Sequence, residues 1–128
     1  LLRAHCALYE PVLGGERTMD WYHIWCDLKA GENDLTFCRN LDAYLGHLQG
    51  EGLIEEHRLM RRKLGLAYDG AGEFHIMVGT RDLAQLDAAF NLVSTRVGEV
   101  EQLHKAVYSA VANIKFGLYR DFPDPQRG

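Results

Sequence analysis

Two histidines, His23 and His75, are the residues of this chain best placed to do chemistry together. His23 stands in "WYHIWCDL", residues 21–28, which read with period two makes two faces: Trp21, His23, Trp25 and Asp27 on one, Tyr22, Ile24, Cys26 and Leu28 on the other. His75 stands in "EFHIMVGT", where Glu73, His75 and Met77 alternate with Phe74, Ile76 and Val78. If the two strands are neighbours with the histidines opposite, their Cβ atoms come within about 5 Å. Among Trp21, Trp25, Met77 and Tyr119, such a pair can serve as acid and base in a mostly apolar pocket. With Glu73 as a third ligand it can instead hold a divalent metal. The commoner fate of histidines on such a face is plainer: hydrogen bonding to backbone or to Glu73 inside an interface. No metal or other cofactor is assigned from these residues.

The elements that must position the histidines follow from periodicity. After the first strand, Asn33 or Asp34 caps a helix whose stripe runs Leu35, Cys38, Leu41, Tyr44 or Leu45, and Leu48, until "GEG" stops it at Gly50. "LIEEHRLMRRKLGL" reads as a strand of mixed quality, and the turn-rich "AYDGAG" joins it as a hairpin to the strand of His75. Thr80 or Asp82 caps the next helix, with Gln85 completing a capping box. Its stripe of Leu83, Leu86, Phe90, Val93, Val97, Val100, Val107 and Val111 is broken or kinked at Gly98. "IKFGLYRDF" is the last strand, ended by Pro123 and Pro125.

The order β-α-β-β-α-β with right-handed crossovers predicts an α+β ferredoxin-like plait: a four-stranded antiparallel sheet, first and third strands central, both helices on one face. Tyr22, Ile24, Cys26, Leu28, Phe74, Ile76, Val78, Ile114, Phe116 and Leu118 then face the helices. The face bearing His23 and His75 keeps two tryptophans, a methionine and Tyr119 in water, and each large apolar side chain buried is worth roughly 1.5–3 kcal/mol. No residues remain for a second sheet, so the expected cover is a second copy of the chain, sheet to sheet, in a homodimer.

The strand order, the aromatic-and-histidine alternation of "WYHIWCDL", the "EFHIMVG" strand running into a capped helix and the short aromatic last strand together resemble the dimeric α/β-barrel superfamily across residues 19–122. The resemblance extends to small uncharacterised bacterial members with a dimeric ferredoxin-like fold. It implies a homodimer with a ligand cavity either between sheet and helices or within the barrel. It transfers no catalytic residue set, and whether the chain is an enzyme is left open.

The remaining features bound the reading. The chain has 128 residues and a formal net charge of −4, enough for one core and unfavourable to a general nucleic-acid or anionic-membrane binder. An RNA-recognition platform would need aromatics where this chain has His75 and Met77. No apolar run approaches the roughly 18 residues of a membrane span. Cys6, Cys26 and Cys38 are odd in number and lack CxxC spacing; read as reduced thiols, with two of the three on apolar faces, they point to the cytoplasm. The basic run of residues 58–64 is read as protection of an edge strand, with Asp121 and Asp124 of a second copy available to answer it. His57 is a weak third ligand, and His47 and His104 are expected in solvent. Residues 1–18 lack periodicity and precede Met19, the expected natural start, so they are read as a leader outside the domain, and residues 123–128 as a tail.

Overall fold

The computed structural model describes residues 18–124; the expectations for Cys6, most of the leader and the end of the tail lie outside them. Seven elements follow in order: β1 (Asp20–Leu28), α1 (Asp34–Gly50), β2 (Glu56–Arg61), β3 (Phe74–Thr80), α2 (Leu83–Ser94), α3 (Gly98–Tyr108) and β4 (Val111–Arg120). The four strands form one sheet in the order β2-β3-β1-β4, every pair antiparallel, with β1 and β3 central. This is the ferredoxin-like plait.

Local chemistry sets the boundaries. Asn33 Oδ1 accepts the Thr36 N–H at 2.9 Å and caps α1. Asp82 caps α2 by accepting the Gln85 N–H at 2.8 Å, while the Gln85 side chain reaches back to the Arg81 N–H, one residue before the position a capping box uses. Gly98, at φ 72°, takes the left-handed conformation that separates α2 from α3.

The core lies between α1, α3 and the sheet: Phe37, Leu41, Leu45 and Leu48 from α1, Val100 and Val107 from α3, and Cys26, Phe74, Ile76 and Val78 from the strands. Two members of the expected α1 stripe are not in it. Leu35 is 66% exposed and Cys38 is exposed. At 3.6 residues per turn Leu35 lies about 120° round the helix from Leu41, whereas Phe37, one turn before Leu41, takes the buried place and packs edge-on against Phe74 at 5.3 Å. Cys26 alone of the described cysteines is a core thiol; burial, then the charge of Asp27, pushes its pKa up to about 11.

β4 also departs from the expected pattern. Ile114, Phe116 and Leu118 are 40%, 61% and 52% exposed, because α1 packs over β2 and α2 over β3, while β4 is the far edge strand. The strand starts at Val111, earlier than expected, and a bulge intervenes: Trp25 pairs with Lys115 but Asp27 with Ala112. Asp27 pins this irregularity, accepting from the Asn113 side chain at 2.9 Å and the Glu73 N–H at 2.8 Å. Those two hydrogen bonds hold its carboxyl below the usual range.

Candidate functional site

The two faces of β1 lead to two different places. On the face away from the helices, the β1–β3 register sets His23 opposite Met77 and Trp25 opposite His75. The histidines are therefore diagonal neighbours, not the directly opposed pair that closest approach would suggest. They meet nonetheless: His23 Nδ1 lies 2.8 Å from His75 Nε2. Trp25 stacks nearly parallel on both rings, 5.5 Å from His23 and 4.8 Å from His75, and Tyr119 meets His23 edge-on at 4.9 Å. Glycines make room for the tryptophans. A Cβ on Gly79 would lie 2.8 Å from the Trp21 ring, and one on Gly117 3.1 Å from that of Trp25.

Trp21 stands apart from the pair, donating its indole N–H to Asp121 at 2.9 Å. Glu73 is engaged by Arg61 at 2.9 Å rather than by the histidines. His57 is on the opposite face, within 3.0 Å of both Gln49 and Asp42 on α1. Among the described residues no three His, Cys, Asp or Glu side chains come together as a metal site. The carboxylates expected to answer a partner's basic edge are used within the chain, Asp121 as above and Asp124 with Arg120 at 3.6 Å. Arg61, in the basic run, pairs with Asp34 and Glu73 and lies 4.8 Å over the Phe74 ring.

A nitrogen-to-nitrogen hydrogen bond needs one N–H and one lone pair, so the His23–His75 contact cannot survive protonation of both rings. Burial lowers the pKa of His23; burial and then the charge of His23 lower that of His75. The unfolded chain takes up protons near histidine's ordinary value of about 6.5, where the folded protein still refuses them. Stability therefore falls as pH drops below that value toward the lower folded values, and levels above it. His104, also lowered by burial, acts with the same sign. The urea midpoint is expected to be lower at pH 5 than at pH 7.5, and the difference to shrink in His75→Gln. A midpoint equally pH-dependent in that variant would contradict this role for the pair.

The enclosed space lies on the other side of the sheet. A cavity of about 420 Å³ sits between sheet and helices, its walls formed by Tyr22, Ile24 and Ile76 of the sheet, Leu41 and Tyr44 of α1, Phe90 and Val93 of α2, His104, Val107 and Tyr108 of α3, and Phe116 of β4. Phe90, Tyr108 and Phe116 are 46%, 36% and 61% exposed, which places its mouth beside β4, where no helix closes over the strand. Tyr22 stands behind that mouth, edge-on to Phe90 at 5.2 Å and stacked on Phe116 at 5.9 Å.

The polar groups in this wall are few and hydroxyl-rich. Burial, then the proximity of Tyr22, pushes the Tyr44 phenol up to about 12, and burial raises Tyr22, so both stay neutral donors. His104, expected in solvent, is instead half-buried, its ring 5.2 Å from that of Tyr44 and 4.9 Å from that of Tyr108. The signal for it was present: Val100, His104 and Val107 follow one another at spacings of four and three, which puts the histidine on the apolar stripe of α3.

Searched against curated proteins, the chain gives no match. Among solved structures it is similar to a dimeric ferredoxin-like protein of unknown function from Jannaschia sp. CCS1, with 15% identity, a TM-score of 0.59, and 79% of this chain and 97% of that one covered. It is similar to a dimeric protein of unknown function and ferredoxin-like fold from Bacteroides fragilis NCTC 9343 at 7% identity and TM-score 0.52, covering 80% and 96%. A hydroxynitrile lyase from Passiflora edulis superposes at 12% identity and TM-score 0.61, covering 85% and 98%. At these identities the likeness is one of fold. No helix among the described residues is long and apolar enough to cross a membrane. One family pattern matches residues 19–128, most of the chain, and by that match the protein belongs to the family of unknown function DUF6614.

Proposed function

We propose that the protein is a homodimer that binds a small apolar or aromatic molecule in the cavity between sheet and helices, the Trp/His face of each sheet being covered by the second copy. The observation that carries the binding half is the cavity itself: about 420 Å³, walled by aliphatic and aromatic side chains with a few tyrosine hydroxyls, the composition of a small-molecule site. The dimer half is supported by the Trp/His face itself, where Trp21, Trp25 and Met77 are only partly buried and Tyr119 is 64% exposed, and by structural neighbours described as dimeric. The domain spans residues 19–122, and the free thiols Cys26 and Cys38 suit a reducing, cytoplasmic setting.

A hydrocarbon probe tests the cavity. 2-Methylnaphthalene is expected to bind saturably, shifting the methyl resonances of Leu41, Leu45 and Val107 and leaving the ring protons of His23 and His75 in place. A probe that fails to saturate, or that moves only the histidine resonances, contradicts the proposal.

The 2.8 Å histidine contact favours a second reading. In it, closure of the dimer leaves a pocket lined by Trp21, Trp25, Met77 and Tyr119, in which His23 and His75 pass a proton to and from a bound molecule. The two readings place the ligand on opposite faces of the same sheet.

A further inference from the structure

The cavity wall is apolar apart from its tyrosine hydroxyls, Arg96 and His104, and the surroundings of His104 on α3 are incompletely satisfied. His104 Nδ1 and Glu101 Oε1 are both buried and both lack a hydrogen-bond partner. They face each other at 3.9 Å, too far for a hydrogen bond, and the carboxylate's charge works against the burial that lowers the His104 pKa. Folded proteins seldom leave a buried imidazole nitrogen and a buried carboxylate oxygen without partners side by side.

We propose that Glu101 and His104 give the cavity a hydrogen-bond acceptor, so that its ligand is an apolar ring bearing a hydroxyl or similar single donor, not a plain hydrocarbon. The inference rests on the cavity being the binding site. The Glu101 carboxylate beside Nδ1 favours the tautomer with its proton on that nitrogen, which leaves the Nε2 lone pair free to accept. His104 lines the cavity, and the Tyr44 and Tyr108 rings on either side restrict its rotation. Burial keeps the imidazole neutral near pH 7. The tyrosine hydroxyls can donate to a ligand oxygen; the imidazole supplies the acceptor that a ligand O–H needs. Arg96, in the loop before α3, also lines the cavity; it would favour an anion over a neutral donor, and 2-naphthoate distinguishes the two.

Three probes of nearly equal shape separate the possibilities when titrated against the full chain at pH 7.5: 2-naphthol, 2-methylnaphthalene and 2-naphthoate. 2-Naphthol is expected to bind about tenfold more tightly than 2-methylnaphthalene, the worth of one well-made hydrogen bond. In His104→Leu the two should bind within about twofold of each other. Glu101 acts by positioning, so Glu101→Gln, whose amide oxygen can still face Nδ1–H, should keep the preference and Glu101→Leu should lose it while still binding 2-methylnaphthalene. A readout needing no variant is the ¹⁵N resonance of His104 Nε2, which should move with 2-naphthol and stay with 2-methylnaphthalene. Equal affinity of the two probes for the wild type, or a preference that survives in His104→Leu, overturns the acceptor role and leaves the cavity as a binding site. Tighter binding of 2-naphthoate overturns it in favour of Arg96. If none of the three binds, the cavity reading falls and this one with it.

Discussion

Trp25→Glu should turn a dimer into a monomer. Trp25 stacks on His75 and His23 at the centre of the sheet face proposed to meet the second copy. Central tryptophans in interfaces are typically worth 2 kcal/mol or more by truncation, about 2–4 kcal/mol being common. A carboxylate placed there must also be stripped of water without a partner, at a further cost of several kcal/mol. Together these raise the dissociation constant at least about a thousandfold. Sedimentation at micromolar concentration reads the result directly, with circular dichroism confirming that the fold persists. A dimer of unchanged affinity would mean that this face is not the interface.

Phe37→Ala should cost about 3–5 kcal/mol of stability, the range for deleting a large buried aromatic ring. Phe37 is 2% exposed and meets Phe74 across the α1–sheet interface. Leu35→Ala, two residues earlier and 66% exposed, should cost less than about 0.5 kcal/mol. Urea unfolding of the two variants measures which face of α1 is buried. Comparable losses would contradict the helix orientation described above.

That pair of residues shows what was legible in the sequence and what was not. The caps at Asn33 and Asp82, the break at Gly98 and the two faces of β1 follow from local chemistry and simple periods, and they were readable. The exact seat of α1 was not, because Leu35-Cys38-Leu41 and Phe37-Leu41-Leu45 are both helical spacings, and only packing against Phe74 decides between them. β4 departs from its sequence pattern for a related reason. Alternation assigns Ile114, Phe116 and Leu118 to the helix side, but whether a helix lies over them depends on where the crossovers land. The histidine pair was visible as two residues on one face; its diagonal register depends on how far β1 and β3 slide past each other, which strand patterns leave open. His104 follows the same pattern: a polar residue on a helix reads as solvent-facing until Val100 and Val107, which share its stripe, are counted with it.

In the proposed arrangement one face of the sheet meets a second copy and the other holds the ligand. A crystal structure of the protein grown with 2-methylnaphthalene tests both halves at once. Density for the probe is expected between the sheet and helices α1 and α3, beside Tyr44 and Val107, with the Trp25 and His23 faces of two copies packed together. Density against His23 and His75, or a Trp25 face left open to solvent, would contradict it.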